Sequence, residues 1–272
     1  LGESMSSKIL LFDTDGTIDP NNLTRKHSVK RINFQPIEDK VAKQVTTYKA
    51  ANTVHKAIRD NEADFKLSFY GSGDFHHFTL FMLQQYKDPF YLVMFDHHYD
   101  VGSFRWKHDN FIEYHFGSWL YSAIQLKTCL GVILVGPPEH WLTSRLQHIP
   151  YLKDNFNLHV IGKKESDKVV KYTDLLSNID ENANVYVTID KDVLSEKELV
   201  TDWDAGTLKI KELFQMLGLL TNKVKDRLIG VDICGDPRHR DLYERDELKE
   251  IYRNHLIFNQ RIIKFFSGYL GE

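Results

Sequence analysis

With 272 residues, 42% of them hydrophobic and 12% aromatic, the chain is long enough to bury a large core. Its 35 basic and 38 acidic residues leave a net charge of −3, and the basic ones are scattered rather than gathered into a stripe, which argues against a nucleic-acid partner. No apolar run approaches the roughly 20 residues of a bilayer-crossing helix, and Cys129 and Cys234 form no CxxC pair, so a membrane protein, a disulfide scaffold and a thiolate metal site are set aside in favour of a soluble, cytoplasmic protein with both cysteines in its core.

The leading LGES, ahead of Met5, reads as an expression remnant, and residues 1–272 are expected to form a single domain. The first apolar run, KILLF (8–12), leads into Asp13-Thr14-Asp15-Gly16-Thr17. A haloacid-dehalogenase-type phosphatase presents its nucleophile in this form, which would make Asp13 the nucleophile and Asp15 the acid/base. A helical spacing follows over 37–60, then a strand over 65–71 that runs into Asp74, His76 and His77. FYLVMFD (90–96) is a nearly continuous apolar strand, and a helical stretch covers 112–127. Strands at 131–136, 158–162, 184–190 and 227–233 alternate with helical patterns at 166–178, 207–221 and 243–266. This alternation predicts an α/β fold: a mostly parallel sheet with helices on both faces.

In open parallel sheets, ligands sit beyond the carboxyl ends of the strands, so the polar clusters that follow the apolar runs are the places to look for chemistry. Asp96, His98 and Asp100 alternate, and an extended backbone would turn all three to one side. Asp190 and Asp192 form a second alternating pair, the 65–71 strand adds imidazole, and the 227–233 strand ends near Asp232. Carboxylates at this density repel one another unless cations neutralise them. Two divalent ions would do so, and an oxygen and imidazole shell without thiolate suits Mn²⁺ best.

These residues resemble the arginase and agmatinase (ureohydrolase) superfamily. GSGDFHH (71–77) is similar to the family's GGDHS, DHHYD (96–100) to DAHxD and TIDKDVLS (188–195) to SxDxDxxDP; looser likenesses lie at EYHFGSWL (113–120) and AGTLKIKELFQML (205–217). The resemblance implies a three-layer α/β/α domain with an eight-stranded sheet. It also implies a binuclear centre held by His76, Asp96, His98, Asp100, Asp190 and Asp192, with Asp96 and Asp190 bridging the ions. His77 could replace His76, which is preferred. A hydroxide bridging the metals would hydrolyse a C–N bond, with Asp192 or His115 moving protons. The substrate would be a small molecule or peptide carrying a guanidinium, amidine or acylated amine, and homo-oligomers are common in the family.

The departures concern the substrate. The Asn that follows the family's metal motif is replaced by Val101-Gly102-Ser103, and the late Asp-x-x-Glu-x-x-Pro reads Asp232-Ile233-Cys234-Gly235-Asp236-Pro237, without its Glu. Either Asp232 or Asp236 takes over cation binding, or the substrate carries no guanidinium at all. Three rivals stand beside this reading. One is a single-zinc deacetylase-like amidohydrolase, suggested by the His76-His77 pair ahead of Asp96. Another is the phosphatase built on Asp13 and Asp15, and the last is a non-catalytic member of the fold.

Overall fold

The computed structural model describes residues 9–24, 28–34, 41–42, 45–60, 66–102, 113–138, 157–161, 172–238 and 246–269. Its elements, in chain order, are β1 (Ile9–Asp13), α1 (Pro20–Leu23), β2 (Val29–Asn33), β3 (Val41–Ala42), β4 (Val45–Thr47), α2 (Tyr48–Asp60), β5 (Leu67–Phe69), α3 (Phe78–Leu83) and β6 (Phe90–Phe95). They continue with β7 (Glu113–His115), α4 (Trp119–Ala123), β8 (Cys129–Val135), β9 (Asn157–Ile161), α5 (Tyr172–Ser177), β10 (Asn184–Asp190), α6 (Ile210–Val224), β11 (Leu228–Cys234) and α7 (Asp246–Phe266).

Eight strands form a wholly parallel sheet in the order β2-β1-β5-β11-β10-β6-β8-β9. Its strands are apolar on both faces because both are covered. Leu11, Val93 and Val187 pack with Leu213 and Leu217 of α6 and with Phe258 and Ile262 of α7. Their neighbours Leu10, Leu92 and Tyr186 pack on the opposite face with Val54 of α2, Phe78 of α3 and Trp119 of α4. The layers are therefore helix, sheet, helix, as the alternation of sequence patterns requires.

Two expected helices are shorter than their sequence patterns. Val45–Thr47 and Glu113–His115 are strands, paired antiparallel to each other with β3 on the outer side of β4. The β-branched Val45-Thr46-Thr47 run favours that pairing over continuing α2 backwards. Edge strand β2 carries exposed Lys30, Arg31 and Asn33, and such charge hides a strand from an apolar-run search while guarding the sheet edge. Parts of other expected elements, among them 37–40, 166–171 and 243–245, lie outside the described residues.

The connectivity creates the site. From β5 the chain crosses to β6 and runs outward to β8 and β9, then returns to insert β10 and β11 between β6 and β5. The carboxyl ends of β5, β11, β10 and β6 consequently stand side by side where the strand order reverses, which is where open α/β sheets bind ligands.

Candidate metal centre

Each of these strands delivers its residues by a distinct local device. Beyond β5, Gly71 turns the chain at φ +82°, and a Cβ there would lie 2.6 Å from Asp15 Oδ1. A short turn over Gly73–Phe75 then presents His76 inward. Beyond β6, the Asp96 amide is held by Val135 O at 3.0 Å. Asp100 adopts a left-handed conformation at φ 44°, which Asp tolerates better than most residues, and Trp119 Nε1 fixes its carboxylate at 2.7 Å. At the end of β10, Asp190 Oδ1 accepts the Asp192 amide at 3.1 Å and so caps the turn that carries Asp192.

The result is a buried cluster. His76 Nδ1 lies 3.2 Å from Asp96 Oδ2, 3.2 Å from Asp100 Oδ2 and 3.6 Å from Asp190 Oδ2. His98 Nδ1 lies 2.9 Å from Asp192 Oδ2 and 3.6 Å from Asp96 Oδ1. Two groups with metal-ligand spacing share one carboxylate: His76, Asp96 and Asp100, and Asp96, His98 and Asp192. All six expected ligands line one cavity of about 200 Å³, together with Gly73, Gly102, His115, Phe116, Gly117 and Trp203.

Electrostatics show what the cluster requires. Burial would raise the Asp96 carboxyl, but the imidazoles of His76 and His98 beside it outweigh that and hold the group below the usual carboxylate range. Burial and the charge of Asp96 push Asp100 up to about 6, and burial together with neighbouring carboxylates raises Asp190 and Asp192. Against the burial that would lower it, His98 is pulled up to about 12 by Asp192 and Asp96. Asp96 Oδ2 is buried and accepts no well-directed hydrogen bond. A surplus of inward carboxylate oxygens, two imidazole nitrogens and an orphaned acceptor is a donor set that fits divalent cations.

A support network, not legible from the motifs, lies beneath the cluster. His76 Nε2 meets Thr188 Oγ1 at 3.0 Å, and Thr188 donates to Asp232 Oδ1 at 2.5 Å. Thr79 also donates to Asp232, at 3.1 Å, as do Tyr70 at 3.0 Å and Tyr186 at 2.7 Å. Since Thr188 spends its proton on Asp232, its lone pair faces His76 and selects the tautomer protonated at Nε2, leaving Nδ1 for the cluster.

No family model matches the chain. An uncharacterized protein of Thermotoga maritima is 28% identical over 185 residues, a match spanning 68% of this chain and 64% of that protein's length. Among solved structures, formimidoylglutamase from Bacillus subtilis superposes with TM-score 0.62 at 12% identity, over 98% of this chain and 89% of its own. Proclavaminate amidino hydrolase from Streptomyces clavuligerus gives 0.60 at 14% identity over 95% and 91%, and arginase from Medicago truncatula 0.59 at 13% over 94% and 85%. The chain has the arginase and agmatinase fold.

Against that fold, the remaining expected residues fall as follows. His77 points away from the cluster: its Nε2 lies 2.6 Å from Thr46 Oγ1, its ring stacks on Phe75, and burial lowers it to about 3. His115 lines the cavity wall, where its Nδ1 accepts the Gly117 amide at 3.0 Å. Asp232 is fully buried under the network just described and does not line the cavity, contrary to the cation-binding position expected for it. Asp236 also turns away, to Lys191 Nζ at 2.6 Å and Asn259 Nδ2 at 3.1 Å. By count, the late motif's Glu falls on Gly235, where a Cβ would lie 2.6 Å from Asp190 Oδ1, so no side chain fits there.

The opening motif is likewise structural in its contacts. Arg31 Nε meets Asp13 Oδ2 at 2.6 Å, while Asp15 accepts Thr17 Oγ1 at 2.8 Å and the Ser72 amide at 3.3 Å, tying this loop to the turn ahead of His76. Neither carboxylate lines the cavity. Motif reading also missed the aromatic wall: Trp203 contacts Phe116 at 4.9 Å between centroids, lies edge-on to His98, and carries the Arg238 guanidinium over its ring at 5.5 Å. A lone Trp in a polar loop gives no signal of that placement.

Proposed function

We propose that the chain is a metal-dependent hydrolase of C–N bonds, a divergent ureohydrolase that holds two divalent ions at the ends of β6 and β10. The observation that carries this reading is Asp96, which belongs to both ligand groups and is buried with an acceptor oxygen to spare. His76, Asp100 and Asp190 would hold one ion and His98, Asp190 and Asp192 the other, with Asp96 shared. When bound, such ions would supply a water of lowered pKa and Lewis-acid polarisation of the substrate. The chain's own residues do the rest. Thr188 and Asp232 orient His76, Trp119 holds Asp100, and Phe116 and Trp203 limit water access from one side. Asp192 and His115, which line the cavity, would accept and return protons.

The substrate class is a guanidinium, amidine or acylated amine, borne by a small molecule or a peptide. Gly235 leaves no room for an acidic anchor beside Asp190, which favours an uncharged acylated amine over a cationic guanidinium or amidine. The single-zinc reading does not need both Asp100 and Asp192, and both line the cavity.

The test is metal content and activity together. Wild-type protein loaded and desalted is expected to retain two equivalents by elemental analysis and to release ammonia, urea or amine from one member of a guanidino, amidine and N-acyl panel. Asp190→Ala is expected to lose both. Full metal retention in that variant would sink the binuclear reading, and one tightly bound zinc in the wild type would favour the deacetylase-like one.

A further inference from the structure

Cys234 ends β11 directly beside Asp190, in register with it across the β10–β11 pair. Its Sγ, fully buried, lies 3.2 Å from Asp190 Oδ2, the same oxygen that lies 3.6 Å from His76 Nδ1. His76, Asp190 and Cys234 each offer one donor atom, all within 4.8 Å of one another. An independent observation points to an ion at this place: Asp96 Oδ2, also buried and 3.2 Å from His76 Nδ1, accepts no well-directed hydrogen bond. Sulfur, imidazole nitrogen and two carboxylates thus converge from four different strand ends.

We propose that the Cys234 sulfur is a ligand of the ion nearest His76, so that this half of the centre is a mixed thiolate, imidazole and carboxylate site. The inference rests on the binuclear reading above and sharpens its metal identity. On loading, the S–H bond breaks and a sulfur–metal bond forms. The proton, already donated toward Asp190 Oδ2, passes through that carboxylate to water. A divalent ion would hold the sulfur as thiolate through its own charge, because a coordinating thiol is deprotonated outright.

The consequence is selectivity. Thiolate is a soft ligand that favours Zn²⁺, Co²⁺ or Fe²⁺ over Mn²⁺, whereas the neighbouring group of Asp96, His98 and Asp192 offers only oxygen and nitrogen. The Mn²⁺ expected from a thiolate-free shell therefore applies to the second position alone. The competing account is that Cys234 is a small apolar filler whose S–H is a weak donor.

Cobalt distinguishes the two. Metal-free full-length protein is titrated with Co²⁺, following absorption in the near ultraviolet while equilibrium dialysis counts bound ions. The expected result is a thiolate-to-cobalt charge-transfer band that saturates with the ion nearest His76, persists in Cys129→Ser and disappears in Cys234→Ser. The chain has only two cysteines, so a band retained in Cys129→Ser assigns the ligand even if Cys234→Ser fails to fold. Two bound cobalt ions without such a band would overturn the thiolate ligand and leave the binuclear reading standing. Protein that binds no cobalt would overturn the binuclear reading itself.

Discussion

Replacing Thr188 by Val tests the support network with little change in shape. Thr188 is fully buried, and its hydroxyl both donates to Asp232 and receives His76 Nε2–H. Removing it takes one hydrogen bond from a charged carboxylate, worth about 1.5–3 kcal/mol, and leaves a buried imidazole N–H unpaired at about 1–3 kcal/mol. Asp232 keeps the hydroxyls of Thr79, Tyr70 and Tyr186, which places the loss toward the lower half of that sum. A loss of about 3 kcal/mol corresponds to a Tm drop of roughly 6–12 °C for a chain of this size. Metal affinity is expected to fall about 10- to 100-fold, because the Nε2–H tautomer of His76 is no longer held. Circular-dichroism melts in chelator and calorimetric metal titration read the two effects separately, and Thr188→Ser should recover most of both. If Thr188→Val melts like wild type and binds metal unchanged, the hydroxyl is not the link between Asp232 and His76.

Gly71→Ala forces a left-handed residue to carry a Cβ 2.6 Å from Asp15 Oδ1, and urea denaturation should show a loss of at least about 1–2 kcal/mol from backbone handedness alone. His76→Ala is expected to abolish metal retention, whereas His77→Leu, altering a ring that faces Thr46, should lower stability but leave metal stoichiometry intact by elemental analysis. Trp203→Ala removes the wall against Phe116 and His98 and should raise KM more than it lowers kcat in steady-state kinetics. For pH, His98 is pulled up to about 12 in the metal-free protein, so its stabilising contribution is complete below the ordinary imidazole value of about 6.5 and is lost as pH rises toward 12. Loaded protein should show the opposite trend, destabilising on acidification as protons compete with metal, and urea melts with and without chelator at about pH 6 and pH 9 would reveal whether the two trends diverge.

The sequence by itself determined the layered α/β architecture and the location of the candidate site. Strands covered on both faces must be apolar throughout, so FYLVMF and NVYVTI announced themselves, and a polar cluster directly after such a strand has nowhere to go but its carboxyl end. Asp96 and His98, and Asp190 and Asp192, do meet at one cavity, but through turns rather than the extended alternation expected, since β6 ends at Phe95 and Lys191–Val193 is a 3-10 turn. What depended on contacts between distant segments was decided only in three dimensions. His76 and His77 are adjacent and chemically identical, yet the turn opened at Gly71 sends one to the cluster and the other to Thr46. Asp232 looked available for a substrate until Tyr70, Thr79, Tyr186 and Thr188, drawn from three segments, closed over it. Asp236 was similarly claimed by Lys191 and Asn259. Cys234 read as a core residue because it and Cys129 form no CxxC pair, and only the β10–β11 register brings its sulfur to Asp190. Burial and pairing across strands are collective properties of the packed sheet, and a carboxylate or thiol acquires its role from whichever partners that packing supplies.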